Sequence, residues 1–170
     1  STEENVKSSD FLLMKATVDP EQDLTADGKL KISLNHAMSK LIIKITVNGT
    51  TDASMSKLGD MAINGAVVNA TCDLSAAAPV VVPAADAVVA TVAPYKGTES
   101  CECILPPQKI AEGFSVNFSY DGKLYIWTAK EAIELEKGVE HTLTLNENTT
   151  VRLAAKVARN WATGQLIDRN

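Results

Sequence analysis

Apolar and polar residues alternate along most of the chain, with the period of two that is typical of half-buried β-strands. Two neighbouring segments show the pattern best, and we expect them to form strands that pair with each other: Leu30, Ile32 and Leu34 in the first, and Leu41, Ile43, Ile45 and Val47 in the second. Asn48-Gly49 ends the second segment with residues typical of tight turns.

The segment Ser115 to Trp127 predicts a β-hairpin. Asp121-Gly122 lies between two β-rich runs and supplies the positive φ angles that a two-residue primed turn needs. Pairing around this turn places Phe118 opposite Tyr125 and Val116 opposite Trp127. These four side chains share one face of the hairpin, and we expect that face to lie in the core.

Further strands are predicted before and after this hairpin. Residues 61–74 form either two short strands or one strand bent at Asn64-Gly65, because a glycine inside a strand pattern marks a bulge or a turn. Prolines interrupt the Ala/Val-rich stretch that follows, so one strand is predicted at Ala87 to Ala93 and the remainder is loop or edge.

The last third of the chain alternates again at 139–145 and at 151–157. Between the hairpin and these runs, the composition of Thr128 to Lys137 is compatible with a short helix that Gly138 would end. Eight to ten short strands separated by turn signals predict an all-β fold, an antiparallel β-sandwich.

Length and composition fit a single domain of this kind. The chain has 170 residues, of which 45% are hydrophobic and only 5% aromatic, and this suits packed strands better than a stacking surface. We expect a flexible leader over residues 1–10, the sandwich over 11–161 and a tail over 162–170.

Charge and motifs argue against several functional classes. The net charge is −5 and the basic residues are scattered, so nucleic acid is not expected as a partner. The sequence contains no run of about 18 uncharged apolar residues, so no transmembrane segment is predicted. No motif for catalysis or for cofactor or metal binding occurs, so we expect no enzymatic activity, no catalytic residues, no cofactor and no metal.

Candidate reactive side chains have structural interpretations. His36 and His141 extend apolar strand faces, so we expect packed rings with backbone or hydroxyl partners; the alternative is that they meet across the sandwich. Cys101 and Cys103 share one strand face and are predicted to be small buried hydrophobic residues, since Cys72 and a histidine have no zinc-site spacing with them. Glu131, Glu134 and Glu136 are expected to be solvated.

Five short segments resemble motifs of the fimbrillin family of Bacteroidetes, and they occur in that family's order. The most specific match is 34–41 (LNHAMSKL), which contains His36 and resembles the family's LxFxHAxSKL segment. The others are 9–16 (SDFLLMKA), 104–108 (ILPPQ, which contains Gln108), 135–138 (LEKG) and 157–161 (VARNW). Together they resemble the second half of such proteins.

The resemblance implies a Greek-key, transthyretin-like β-sandwich and a non-catalytic structural subunit or tip component of a surface fimbria. It further implies other fimbrial subunits as partners, adhesion to a host protein or glycan, and a cell-surface or outer-membrane location reached through a lipid-anchored precursor. Subunits of this family assemble when a groove accepts an extended strand from a neighbour, which pairs through its main chain.

The family's donor strand is assigned to the C-terminal region. In this chain the candidate strand-exchange residues are Val151, Leu153, Ala155, Val157, Trp161, Leu166 and Ile167. The alternative is that 151–157 is an ordinary internal strand. The motif and core positions are His36, Gln108 and Trp127.

A different function remains open at this point, a monomeric glycan-binding or adhesin sandwich. It requires Trp127 or Trp161 to form an exposed platform with Tyr95, Tyr120 or Tyr125. Burial of these aromatic side chains distinguishes the two functions.

Overall fold

The computed structural model describes residues 2–19, 21–46 and 54–146, and the backbone of residues 154–160. A short helix, α1, spans Glu3–Ser8, and a 3-10 turn spans Met55–Lys57. The first seven strands are β1 Leu12–Leu13, β2 Asn35–His36, β3 Ser39–Thr46, β4 Leu58–Val67, β5 Ala70–Cys72, β6 Val81–Pro83 and β7 Val89–Val92. The remaining strands are β8 Tyr95–Lys96, β9 Cys101–Leu105, β10 Gln108–Ile110, β11 Ser115–Tyr120, β12 Lys123–Thr128, β13 Ile133–Leu135, β14 Val139–Asn146 and β15 Ala154–Asn160.

Two main sheets form the sandwich, which confirms the all-β prediction. One has four strands in the order β12-β11-β4-β7, and the other has five in the order β15-β14-β3-β9-β8. Neighbouring strands are antiparallel throughout these two sheets except β14 and β3, which are parallel. Three two-stranded ribbons, β1-β2, β5-β6 and β10-β13, accompany them. The Greek-key and transthyretin-like details stay predictions.

The core lies between the two main sheets because each contributes one apolar face. Alternate residues of β3, namely Leu41, Ile43 and Ile45, belong to a single buried cluster with Ile63 of β4 and Val116 of β11. Burying large aliphatic side chains in this way contributes about 1.5–3 kcal/mol per residue relative to exposure. The parity of β3 therefore determines which of its faces is buried.

The hairpin prediction is confirmed in detail. Val116 lies opposite Trp127 and Phe118 opposite Tyr125, and the Phe118 and Tyr125 rings stack with their centroids 5.2 Å apart. Asp121 and Gly122 both have positive φ angles, 50° and 75°, as a primed turn requires.

The bend predicted at Asn64-Gly65 is also present, and it interrupts the pairing of β4 with β7. The register shifts between Asn64 and Ala66, and Gly65 has a φ of 97°. Its position is close to the backbone of Phe114, since a Cβ there would lie 3.3 Å from the Phe114 Cα. Both observations explain why glycine stands at this point.

Two local predictions are wrong. Residues 31–34 form no regular strand, and Leu30 makes an isolated bridge with Leu24 and does not pair with β3, whose neighbours are β14 and β9. The segment 128–137 contains strand β13 in place of a helix, because Ile133 and Leu135 are buried and their backbone pairs with β10. Tertiary burial overrides helix propensity there.

The chain ends of the predicted domain are partly described. The leader contains helix α1, whose N-cap Thr2 accepts a hydrogen bond from the Asn5 amide at 3.1 Å. The flexibility of the leader, the bounds 11–161 and the tail 162–170 stay predictions. The Asn48-Gly49 turn lies outside the described residues. Among the described helices, none is long and apolar enough to cross a membrane.

Candidate functional site

Strand β14 is the central element of the candidate strand-exchange interface. Its residues alternate between buried and half-buried, with Val139, His141, Leu143 and Leu145 on the buried side. On one side β14 pairs with β3 over seven consecutive positions, from Glu140 to Asn146. On the other side it pairs with β15, which lies at the edge of the five-stranded sheet.

The ladder between β14 and β15 is less regular than the ladder between β14 and β3. Val139 to Thr142 pair with Asn160 to Val157, but the register then shifts, and Thr144 pairs with Ala154. An irregularity of this kind leaves residues without a ladder partner and locally weakens the pairing. Among the described strands, β15 thus lies at the sheet edge and is held by one interrupted ladder.

The structure describes two of the seven candidate strand-exchange residues, and only their backbone. Ala155 and Val157 lie within β15, where Val157 is the Cα partner of Thr142. The other five lie outside the described residues: Val151, Leu153, Trp161, Leu166 and Ile167. The role of all seven in strand exchange stays a prediction.

A cavity of about 200 Å³ lies beside β14, on its core side. Ile133 and Leu135 of β13, Phe114, and Leu143 of β14 are among the residues that line it, so its wall is mainly apolar. Apolar cavities of this size can accept an aliphatic or aromatic side chain without stranding polar groups. The space could therefore seat a side chain of a strand that pairs with β14.

The two histidines have different partners. His141 is buried, and its Nε2 accepts a hydrogen bond from the Glu136 amide at 3.0 Å, which confirms the expected backbone partner. His36, on β2, is half-buried, and its Nδ1 lies 2.8 Å from an oxygen of Asp10. A carboxylate is thus one partner of the His36 ring, which the sequence analysis did not name. The available sequence signal was Asp10 itself, which lies in the 9–16 motif just before β1.

The Gln108 side chain hydrogen-bonds to the backbone of β4, a contact that the sequence analysis did not predict. Its side-chain Oε1 accepts a hydrogen bond from the Val67 amide and its Nε2 donates to the Val67 carbonyl, both at 2.8 Å. The Nε2 also donates to the Pro106 carbonyl at 3.1 Å. The side-chain amide thus acts as a strand partner for the last residue of β4.

Aromatic residues are mostly used inside the protein. Trp127 is buried, with its ring at 76° to that of Phe114 and the centroids 6.0 Å apart. Its Nε1 has no hydrogen-bond partner among the described residues. Tyr120 is buried, while Tyr95 and Tyr125 are half-buried. Trp161 lies outside the described residues, and the buried Trp127 cannot form the exposed platform predicted for an adhesin.

The cysteines of β9 are buried, as predicted. Their registers place Cys101 opposite Ile43 and Cys103 opposite Leu41, within the core. Burial raises the pKa of the Cys101 thiol to about 11 and that of the Cys103 thiol to about 12. Thiols of this kind are poor nucleophiles. Cys72 is half-buried on β5.

Charged side chains gather on the outer side of the five-stranded sheet, where helix α1 forms one wall of a cleft. The cleft has a volume of about 580 Å³, and Lys7, Asp10, Lys40, Tyr95 and Glu102 are among its lining residues. Lys40 is paired with Glu102 at 3.0 Å and with Glu140 at 3.7 Å. In the part of the chain that is described, no cluster of three or more His, Cys, Asp or Glu residues could hold a metal ion.

The predicted acidic group at 131–136 is only partly solvated. Glu131 and Glu134 are exposed, as expected. Glu136 is half-buried, and its backbone amide donates a hydrogen bond to the Nε2 of the buried His141. The alternation of Ile133 and Leu135 was the available signal for this arrangement, but two apolar positions are too few to separate a strand from a helix.

A family model described as fimbrillin-like matches residues 1–161. The chain belongs to the fimbrillin-like family. This match covers every described element, including β14 and the edge strand β15, and agrees with the resemblance of the short motifs.

Two solved structures share the fold of this fimbrillin-like chain. One is a candidate cell adhesion protein from Bacteroides uniformis, with a TM-score of 0.56 and 19% identity over 75% of this chain and 52% of that one. The other is a candidate cell adhesion protein from Bacteroides ovatus, with a TM-score of 0.54 and 19% identity over 75% of this chain and 46% of that one. The chain thus spans about half the length of these structures. No curated protein matches it.

Proposed function

We propose that this chain is a non-catalytic structural subunit or tip component of a bacterial cell-surface fimbria, which assembles by β-strand exchange and supports adhesion. Its partners are other fimbrial subunits, with a host protein or glycan as the adhesion target. Membership of the fimbrillin-like family supports the fimbrial role and the surface location. The names of the two Bacteroides structures agree with adhesion.

The position of β15 is the single observation that carries the exchange mechanism. Release of the edge strand β15 disrupts the hydrogen bonds of one described ladder, whereas release of β14 would disrupt two. Departure of β15 would expose the free backbone edge of β14, with its buried positions Val139, His141 and Leu143 on one side. The same segment of a neighbouring subunit restores the lost hydrogen bonds in the same register, so exchange costs little at equilibrium.

The cavity beside β14 supports this mechanism as well. An incoming strand needs a place for at least one apolar side chain, since main-chain pairing alone confers little specificity. Ile133, Leu135 and Leu143 provide such a place directly beside the β14 backbone.

A pair of engineered thiols tests the mechanism on the full chain. Thr142 and Val157 are Cα partners across β14 and β15, so a cysteine at each position is close enough to form a disulfide. We would place Thr142→Cys in one protein and Val157→Cys in a second, both with Cys72→Ser, and mix them after mild proteolysis of the leader. Strand exchange predicts disulfide-linked heterodimers in the mixture on nonreducing gels and by light scattering.

The matched control replaces Val157→Cys with Asp73→Cys, which is exposed and remote in sequence from the β14 ladder. It should give no heterodimer with Thr142→Cys. If the mixture stays monomeric at every concentration while a double Thr142→Cys, Val157→Cys chain closes only within itself, exchange through β15 is excluded.

A mixture that stays monomeric would favour a monomeric glycan-binding or adhesin module. The cleft beside α1 is the observation that supports this alternative, because it combines the half-buried Tyr95 with charged hydrogen-bonding groups. Sugar sites commonly need both an apolar ring face and polar side chains.

A further inference from the structure

A row of charged residues crosses the outer face of the five-stranded sheet. Lys40 of β3 lies between Glu102 of β9 and Glu140 of β14, with its Nζ 3.0 Å from the first carboxylate and 3.7 Å from the second. All three residues are half-buried. Among the described residues, no other cation pairs with either carboxylate. The row therefore carries two negative charges and one positive charge.

Glu140 is the carboxylate of this row with the weaker partner. Its 3.7 Å separation from Lys40 exceeds the distance of a hydrogen bond, whereas the Lys40–Glu102 separation does not. Glu140 also lies on the strand that pairs with β15, where its Cα partner is Arg159. Directly opposite residues of an antiparallel pair have Cβ atoms about 4.5–5.5 Å apart. The register thus places an arginine opposite the carboxylate that has the weaker partner.

The arginines of the chain are confined to its C-terminal end. The first 151 residues contain lysine but no arginine, and the three arginines are Arg152, Arg159 and Arg169. Of these, Arg159 lies within β15. A guanidinium can hold a carboxylate through two parallel hydrogen bonds and is more weakly hydrated than an ammonium, so it suits a half-buried ion pair better than lysine does. The strand that pairs with β14 thus carries the cation best suited to Glu140.

Apolar residues specify the register only weakly at this end of β15. Beyond the shift in the β14–β15 ladder, Ala158 lies opposite the buried His141. Asn160 lies opposite the buried Val139. One of these β15 residues is small and the other is polar, so burial discriminates little between registers. A slip by one residue would move Arg159 opposite His141 or Val139, where an unpaired charge is costly. Charge therefore specifies this register better than burial does.

We propose that Arg159 of an incoming β15 strand binds Glu140 of the receiving subunit, and that this ion pair selects the strand and sets its register. The inference rests on the strand exchange proposed above, in which the same segment of a neighbouring copy takes the place of β15. Lys40 then stays with Glu102, and the completed row carries two charges of each sign. Opposite charges in directly opposed positions stabilise a strand pair, and like charges there destabilise it.

Two different charge variants isolate this ion pair. Exchange between identical chains replaces each opposed pair with the same pair, so one variant by itself should not associate more strongly. In a Glu140→Arg chain two positive residues oppose each other, and in an Arg159→Glu chain two negative residues do. Exchange between these two chains replaces both like-charge contacts with opposite-charge contacts. The mixed dimer is therefore favoured over the separate variants.

Mixing the two full-length variants tests the proposal by sedimentation equilibrium and native mass spectrometry, under the conditions used for the engineered thiols. The association constant of the mixed dimer should be at least about tenfold above that of the unmodified chain, which corresponds to about 1.4 kcal/mol. Glu140→Gln replaces Glu140→Arg if the added positive charge beside Lys40 unfolds the chain. Mixed with Arg159→Glu, it relieves only the contact between two acidic residues and should give a smaller gain.

The matched control is Arg169→Glu, which gives the same net charge as Arg159→Glu but changes an arginine outside β15. Its mixture with Glu140→Arg should associate as the unmodified chain does. An equal gain with both glutamate variants would reveal a general effect of charge and overturn the proposal. Absence of a gain with Arg159→Glu, while the thiols at 142 and 157 still form heterodimers, would overturn this proposal alone. Absence of both would overturn strand exchange as well, so the two failures are distinguishable.

Discussion

Two segments with the same apolar alternation have opposite fates in this protein. Leu41 and Ile43 in β3 are 3% and 1% exposed, whereas Ile32 and Leu34, only a few residues earlier, are 60% and 53% exposed. The first segment pairs with β14 and β9 and faces a second sheet. The second has an isolated bridge at Leu30 and no ladder. Alternation thus favours a strand, but a strand partner and an opposing layer decide whether it forms.

The largest expected effect comes from making the same substitution in both segments. Ile43→Ala should lower the free energy of unfolding by about 3 kcal/mol, because it leaves a cavity between the two sheets. Ile32→Ala should change it by less than about 0.5 kcal/mol, because that side chain is already largely in water. Urea titrations followed by tryptophan fluorescence measure both values.

The difference between the two values is the decisive quantity. Equal losses would mean that 30–34 packs in solution as β3 does. That result would contradict the placement of this segment and would restore the sequence-based prediction of a strand.

Elements specified by local residues were predictable, and elements that depend on distant partners were not. The 115–128 hairpin was predictable to the residue pair, because Asp121-Gly122 fixes the turn and the short loop fixes the register. The bulge at Gly65 was predictable for a similar local reason. The parallel pairing of β14 with β3 was not, since about a hundred residues separate the partners and nothing local encodes their contact.

The candidate site was predictable in outline only. The alternation at 139–145 identified β14, and the C-terminal pattern pointed to the strand beside it. Local sequence could not reveal that β13 would line a cavity there, because Ile133 and Leu135 sit within residues that favour a helix. Nor could it reveal the amide partner that Gln108 provides for Val67.

The Gln108 side chain hydrogen-bonds to the backbone at the end of β4, as a neighbouring strand would. Gln108→Ala removes two hydrogen bonds from the half-buried Val67 backbone, so we expect a loss of about 1–2 kcal/mol in unfolding free energy. The exposed Gln22→Ala should change stability by less than about 0.5 kcal/mol.

Hydrogen exchange locates this effect. The Val67 amide should exchange faster in Gln108→Ala, while amides of the 115–128 hairpin should keep their protection relative to global unfolding. Unchanged exchange at Val67 would show that water replaces the side-chain amide without cost, and the assignment of Gln108 as a strand partner would fail.

The smallest expected effect concerns the thiols of β9, which test whether the ladder between β3 and β9 stays closed in the native protein. The pKa of Cys103 is about 12 in the folded protein against an ordinary 9.0, so folding favours the protonated thiol. Its contribution to stability is complete below pH about 9 and is lost progressively as the pH rises toward about 12. Between pH 9 and 10 the unfolding free energy should fall by about 1 kcal/mol per buried thiol. Cys103→Ala should reduce that slope, because alanine does not ionise.

A thiol reagent should modify the half-buried Cys72 in the native protein and reach Cys101 and Cys103 only on unfolding. Rapid labelling of all three thiols in the native protein would mean that the β3–β9 ladder opens readily. The difference in solvent exposure between β3 and residues 30–34 would then be much smaller in solution than the structure indicates.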